Sequence, residues 1–72
     1  MPTSATVAIT LNGEPYDLAA ERTAAELVEA LGLTGRRIAM EINEEIVPRS
    51  QLSATRLEAG DRVEIVHAIG GG

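Results

Sequence analysis

The chain contains no cysteine, no lysine and no long apolar run. Without cysteine, neither a disulfide framework nor a thiolate metal site can stabilise the fold, and the chain has no thiol chemistry. No stretch of about 18 apolar residues is present, so no membrane span is predicted. The first residues, 1–5, lack a charged segment followed by an apolar core, so we expect no signal peptide and a cytoplasmic protein.

Positive charge is also scarce. Eleven acidic residues against six basic ones, all arginine, give a formal net charge of -5. This charge repels phosphate backbones, so nucleic acid is not an expected partner, whereas a basic protein surface is. A chain of 72 residues forms one small domain, which buries about 60 to 65% of the surface that its unfolded form exposes. That size leaves no room for an active-site cleft beside the core.

The first third of the chain predicts a β-hairpin. Residues 6–11 alternate apolar and polar side chains, and residues 14–18 return after Asn12-Gly13, the sequence that favours a type I′ turn. Pro15 cannot donate a ladder hydrogen bond, so it belongs at a strand start or on an open edge. The expected core residues of this hairpin are Val7, Ile9, Leu11, Tyr16 and Leu18.

A helix follows the hairpin. Thr23 and Glu26 have the spacing of a capping box, which predicts a helix start at Thr23. The helix should run to Leu31, because Gly32 can adopt the left-handed conformation that ends helices. The apolar stripe of this helix consists of Ala24, Leu27, Val28 and Leu31.

The second half predicts three more strands. Residues 38–42 alternate with Ile38, Met40 and Ile42 inward, Asn43-Glu44 forms a turn, and a short strand spans residues 45–47. Residues 50–57 lack a clear period and predict a turn or a short 3₁₀ segment, with Leu52 and Leu57 in the core. The last strand, residues 62–69, follows a turn at residues 58–61.

Two polar features of this half have open interpretations. The adjacent Arg36 and Arg37 lie in a polar loop, where they are either solvated or in contact with an acidic partner. His67 is the only histidine. It has no companions for ligation or acid-base catalysis, so we expect an ordinary strand-end residue that packs or points to water.

This order of elements predicts an α+β fold of the β-grasp (ubiquitin-like) type. A mixed four- to five-stranded sheet packs against one helix, with the first and last strands as parallel neighbours. We expect the β-grasp domain to span residues 6–69. Residues 1–5 should be disordered or poorly ordered, and residues 70–72 should form a flexible glycine tail.

The end of the sequence, Gly70-Gly71-Gly72, is its most informative feature. Glycine tolerates dihedral angles that other residues avoid, so Gly70 and Gly71 can thread a narrow channel and present the α-carboxylate of Gly72 to another protein. An α-carboxyl group ordinarily has a pKa of about 3.3 to 3.7, so at neutral pH it is an unreactive anion that needs activation. The alternative is a frayed, inert chain end.

The chain resembles the ubiquitin-like sulfur carriers of thiamin (thiazole) biosynthesis, the ThiS family. The matching segments are Leu-Asn-Gly-Glu at 11–14, Glu-Ile-Asn-Glu-Glu-Ile-Val-Pro-Arg at 41–49, and the Gly-Asp turn, apolar strand and glycines of residues 60–72. Together they extend over nearly the whole chain from Val7 onward.

The resemblance implies a protein without catalytic residues, metal or permanently bound cofactor. An E1-like adenylating enzyme would use ATP to adenylate Gly72, sulfur from a persulfide donor would replace AMP to give a thiocarboxylate, and thiazole synthase would receive the sulfur. The missing lysine then has two interpretations. It reflects a codon bias towards arginine and alanine, or it protects the activated terminus from attack by a side-chain amine.

A partner surface is expected on the open face of the sheet. If Val63 and Ile65 face the helix, then Glu64 and Val66 lie on the other face beside Ala39 and Glu41, as an apolar patch with an acidic rim. Ala68 and Ile69 would extend this interface towards the tail. The alternative is a plain solvent-exposed face.

Three other functions fit the same sequence. The small subunit of molybdopterin synthase has the same tail chemistry and a pterin precursor as recipient. A ubiquitin-like protein modifier would form isopeptide bonds with target lysines. A β-grasp binding module would use its folded surface and would not need Gly71 and Gly72.

Overall fold

The computed structural model describes residues 6–19 and 23–67. The expectations for residues 1–5 and 68–72 lie outside the described residues. The elements in chain order are strands β1 (Val7–Leu11) and β2 (Glu14–Leu18), helix α1 (Ala24–Ala30), strands β3 (Ile38–Ile42) and β4 (Glu45–Val47), a 3₁₀ helix (Arg49–Ala54) and strand β5 (Arg62–His67).

The strands form one five-stranded sheet in the order β2-β1-β5-β3-β4. The neighbours β1 and β5 are parallel, and the other adjacent pairs are antiparallel. Strand β5 is therefore central, with the two hairpins on either side of it. This topology confirms the predicted β-grasp fold, and Pro15 lies on the edge strand β2, where its missing donor is tolerated.

Both hairpin turns place two consecutive residues at positive φ. Asn12 and Gly13 have φ values of 50° and 83°, as the predicted type I′ turn requires, and Asn43 and Glu44 have values of 52° and 72°. Asparagine tolerates this conformation better than most residues with a Cβ. The two turns therefore reverse the chain tightly, with two residues between the paired strands.

Helix α1 begins with the predicted capping box. The Thr23 hydroxyl accepts a hydrogen bond from the Glu26 backbone N–H at 3.2 Å, and the Glu26 carboxylate accepts one from the Thr23 N–H at 3.1 Å. The helix ends at Ala30, one residue earlier than predicted, with Leu31 as the C-cap and Gly32 at a φ of 73°. Gly32 thus has the predicted role.

The core lies between α1 and one face of the sheet. Its fully buried side chains come from both layers and from the segment after the 3₁₀ helix, and they include Leu18, Leu27, Met40 and Val63. Leu57 is buried and Leu52 packs against the cluster, as predicted. The core and the side chains packed against it include residues of β1, β2, β3 and β5 but none of the short edge strand β4.

The 3₁₀ helix crosses from the edge of the sheet back to α1, and it begins one residue earlier than the predicted segment. After it, an antiparallel bridge joins Arg56 to Thr23, and the Ala24 N–H donates to the Thr55 carbonyl at 2.9 Å. These bonds hold the segment after the 3₁₀ helix against the start of α1. In residues 6–19 and 23–67, no helix has the length and apolar character needed to cross a membrane.

Candidate functional site

The candidate site is the C-terminal end of β5 and the surfaces beside it, because in the sequence only Ala68 and Ile69 separate this strand from the three glycines. On one side of β5, every residue of β3 is paired with β5, from Ile42 opposite Val63 to Ile38 opposite His67. The sheet therefore supports the last described residue before the tail. What residues 68–72 do after this point lies outside the described residues.

On the other side of β5 the support is shorter. Strand β1 pairs with β5 only at Thr10 opposite Arg62 and at Leu11 opposite Val63. Beyond that point the side chain of Asn12 replaces a backbone partner, since its Oδ1 accepts a hydrogen bond from the Ile65 N–H at 2.8 Å. The turn residue that closes the first hairpin therefore also holds the strand that leads to the tail.

The second hairpin turn holds the start of β5 in a similar way. The Asn43 Oδ1 accepts from the Arg62 N–H at 2.9 Å, and its Nδ2 donates to the Asp61 carboxylate at 3.0 Å. The other oxygen of Asp61 accepts from the Glu58 N–H at 2.9 Å, which closes the turn before β5. The sequence predicts both Asn turns but not these side-chain bonds, because the bonds depend on which strands are neighbours in the sheet.

The open face of the sheet contains the apolar patch expected from the alternation of β5. We call Ala39, Ile46 and Val66 the sheet-face patch. Val66 is 58% exposed and lies opposite Ala39, while Ile46 is 73% exposed and lies opposite Glu41. Val66 and Ile46 are the large hydrophobic side chains that the described residues leave exposed. Ile46 was missed because the sequence alone does not give the register of β4.

Acidic side chains border the sheet-face patch. Glu64 lies directly opposite Glu41 in the β3–β5 ladder. Arg62 forms an ion pair with Glu44, with 3.5 Å between Nη2 and Oε2, and both side chains are largely exposed. An exposed pair of this kind contributes little stability. The result is an apolar surface with a mostly negative rim, as predicted for Glu64 and Val66; Ala68 and Ile69 lie outside the described residues.

His67 is exposed at the end of β5, in agreement with a strand-end residue that points to water. Within the described ranges, no group of three or more His, Asp or Glu side chains is placed to hold a metal ion. No buried polar side-chain atom there lacks a hydrogen-bond partner either. What the described residues do present near the end of β5 is the exposed Val66 of the sheet-face patch.

These features define a class of protein: a ubiquitin-like β-grasp domain with an exposed apolar patch on the open face of its sheet and a glycine-rich segment after its last strand. The model of the ThiS family matches residues 9–72, which include all three terminal glycines. The chain therefore belongs to the ThiS family.

Three similar proteins support this assignment. The chain is 30% identical to the thiamine biosynthesis protein ThiS of Geobacter metallireducens, whose crystal structure superimposes with a TM-score of 0.78 over 92% of this chain and 100% of that one. A thiazole synthase of Paramagnetospirillum magneticum is 41% identical over 64 residues, which are 89% of this chain and 20% of that protein. This chain thus spans about one fifth of that relative's length. The uncharacterized protein ycf40 of Porphyra purpurea is 33% identical over 92% of this chain and 93% of its own length.

Proposed function

We propose that this protein is a sulfur carrier of thiamin biosynthesis that acts as a co-substrate, with the carboxyl group of Gly72 as the position where sulfur is loaded. The observation that carries the proposal is the ThiS family match, which continues through Gly72. The fold supports it, since the strand that leads to the tail is held centrally in the sheet. No residue of the chain has to perform catalysis in this role.

The chemistry begins with activation by an E1-like adenylating enzyme. The Gly72 carboxylate attacks the α-phosphorus of ATP, pyrophosphate leaves, and an acyl adenylate forms. The terminal sulfur of a persulfide donor then attacks the carbonyl carbon and AMP leaves. A second thiol cleaves the resulting acyl disulfide, which leaves the thiocarboxylate on the carrier and a disulfide on the donor side.

Delivery requires that the carboxyl group of Gly72 enters another protein while the folded body stays outside. The five residues after His67, at about 3.3 to 3.6 Å each, extend to roughly 17 Å. Glycine at the last three positions presents no Cβ to a narrow channel. Sulfur from the thiocarboxylate would pass there to thiazole synthase, a partner suggested by the similarity to a segment of a longer thiazole synthase.

Docking of the body is assigned to the sheet-face patch and its acidic rim. Exposed apolar side chains bordered by polar groups are typical of interaction surfaces. Val66 and Glu64 lie on the strand that leads to the tail, so an enzyme that contacts them also lies close to the tail. We include Ala68 and Ile69 in this interface because they follow β5 directly.

The test is intact-mass analysis after incubation with ATP, the adenylating enzyme and a persulfide donor of the same organism. Replacement of one carboxyl oxygen by sulfur adds about 16 Da, and the unactivated anion is not expected to change. A variant that lacks Gly71 and Gly72 serves as control and should gain no mass. If the full chain stays unmodified while its adenylating enzyme is active on another carrier, the proposal is wrong.

The recipient is identified separately. The loaded carrier is incubated with thiazole synthase or with the large subunit of molybdopterin synthase, and loss of the added 16 Da is followed by mass spectrometry. We expect loss with thiazole synthase and its substrates only. Adducts of higher mass on lysines of other proteins would instead indicate a protein modifier.

A further inference from the structure

A second surface lies on the helix side of the sheet. A cleft of about 250 Å³ opens between α1, the loop before β3 and the 3₁₀ helix. Its lining includes the apolar residues Val28, Leu33, Ile38 and Leu52, and its charged residues are Arg36, Arg49 and Glu29. We call this the arginine cleft. Its volume lies below the range of about 300 to 1,000 Å³ typical of small-molecule sites, so it fits one or two side chains of a protein partner better than a free ligand.

The edge of the arginine cleft is partly fixed by an internal bond. Arg49 donates from Nη2 to the backbone carbonyl of Arg36 at 2.8 Å, which holds the Arg49 guanidinium against the loop. The Arg36 side chain itself makes no hydrogen bond or ion pair within the described part of the chain, and it is exposed. Its five guanidinium donors are therefore available to a carboxylate.

The local charge differs in sign from that of the whole protein. The chain has a net charge of -5, yet the charged residues that line this cleft are two arginines, Arg36 and Arg49, and one acidic residue, Glu29. An acidic partner segment would be repelled by most of the protein and attracted here. Complementarity of this kind favours one orientation of the bound partner.

The arginine cleft also lies beside the end of β5. Ile38 contributes to its lining and is paired with His67, the last residue of β5, in the β3–β5 ladder. The inward residues of β3 face the helix, whereas Ala39 and Val66 face the opposite side. The cleft and the part of the sheet-face patch formed by Ala39 and Val66 thus lie on opposite faces of the same end of the sheet.

We propose that the arginine cleft binds an acidic segment of the enzyme that receives sulfur from the tail. A carboxylate of that segment pairs with Arg36, and an apolar neighbour enters the cleft between α1 and the 3₁₀ helix. This inference rests on the proposed carrier function. An enzyme that contacts both the arginine cleft and the sheet-face patch would hold the carrier on both faces of the sheet. It would thereby fix the direction in which the tail leaves β5.

The experiment compares two charge reversals, Arg36→Glu and Arg56→Glu. Both change the net charge by the same amount, and Arg56 is an exposed arginine outside the cleft. The dissociation constant for thiazole synthase of the same organism is measured by calorimetry at low and high salt. We expect Arg36→Glu to weaken binding about tenfold or more at low salt, with Arg56→Glu within about twofold of the wild type.

The outcomes separate this inference from the carrier function. Equal weakening by both substitutions would show a general charge effect and overturn the cleft proposal, as would unchanged binding by Arg36→Glu. Either result leaves the carrier function intact if the wild-type chain still gains 16 Da and transfers its sulfur. Wild-type protein that neither binds the synthase nor gains mass would overturn both. Thermal unfolding of each variant checks that the Arg36→Glu protein stays folded. We expect it to, because the Arg36 side chain makes no hydrogen bond or ion pair within the described residues.

Discussion

The Asn12 side chain accepts a hydrogen bond from the Ile65 backbone N–H across a separation of 53 residues in the sequence. One residue thereby serves two elements, since its positive φ closes the β1–β2 hairpin and its Oδ1 extends the support of β5 beyond the last backbone pair with β1. A partly buried N–H without a partner costs about 1 to 3 kcal/mol. The position thus couples the first turn of the fold to the strand that leads to the tail.

We predict that Asn12→Gly lowers the free energy of unfolding by about 1 kcal/mol, because glycine keeps the turn conformation but leaves the Ile65 N–H without its acceptor. Asn12→Asp retains an acceptor oxygen and should be within about 0.5 kcal/mol of the wild type. Urea denaturation of the three proteins measures the difference. A loss of stability in Asn12→Asp equal to that in Asn12→Gly would show that the bond to Ile65 contributes nothing.

Asn43 should respond differently to the same pair of substitutions. Its Oδ1 also accepts a backbone N–H, but its Nδ2 lies 3.0 Å from a carboxylate oxygen of Asp61. Asn43→Asp would place two carboxylates in contact, so we predict that it destabilises the fold more than Asn43→Gly does, by roughly 1 kcal/mol. Urea denaturation at neutral pH tests this order. The reverse order would mean that the bond to Asp61 is unimportant.

The sheet-face patch should affect partner binding without affecting the fold. Val66→Asp and Ile46→Asp replace side chains that are 58% and 73% exposed, so we expect changes in unfolding free energy within about 0.5 kcal/mol. Adenylation and sulfur transfer should fall about tenfold or more, since apolar contacts at the centre of an interface dominate its affinity. Ala54→Asp, which adds the same charge on the 3₁₀ helix, is the control. If the Val66→Asp, Ile46→Asp and Ala54→Asp proteins have equal rates of adenylation and sulfur transfer, the patch is not a docking surface.

Much of the fold was predictable because its signals are local. The alternation in β1 and β5, the Asn12-Gly13 turn and the Thr23 and Glu26 capping box each depend on residues close in sequence, and all are confirmed. The faces of β5 were also predictable, which placed Val66 on the open side. The end of α1 and the start of the 3₁₀ helix each differ from prediction by one residue, as expected for boundaries set by cap geometry, whereas the 3₁₀ helix ends three residues before the end of the predicted segment.

The features that were not predicted depend on contacts between distant segments. The bond from Asn12 to Ile65 requires that β1 and β5 are parallel neighbours in a particular register. The exposure of Ile46 depends on the register of β4 against β3, and three residues of strand give too short a pattern to fix it. The arginine cleft forms only because the 3₁₀ helix packs near α1. The sequence of residues 50–57 has no hydrophobic period from which this packing could be predicted.

The pair formed by Glu41 and Glu64 yields a last prediction, in which stability and function change in opposite directions. Like charges directly opposite on neighbouring strands destabilise a sheet, and an opposite-charge pair contributes about 0.2 to 1 kcal/mol. Glu41→Arg converts the repulsive pair into an attractive one, so the free energy of unfolding should rise. If the acidic rim contacts a basic surface of the adenylating enzyme, the same substitution should weaken adenylation.

The matched control is Glu45→Arg, which changes the net charge equally but lies opposite Ile42 rather than an acidic residue. It should therefore leave the repulsion between Glu41 and Glu64 in place and add less stability. Thermal unfolding and the rate of adenylation at low salt are measured for both variants. A Glu41→Arg protein that is both more stable and fully active would show that the repulsion has no role in recognition. A protein that is more stable and less active would show that this face of the sheet retains an unfavourable charge pair because its partner needs it.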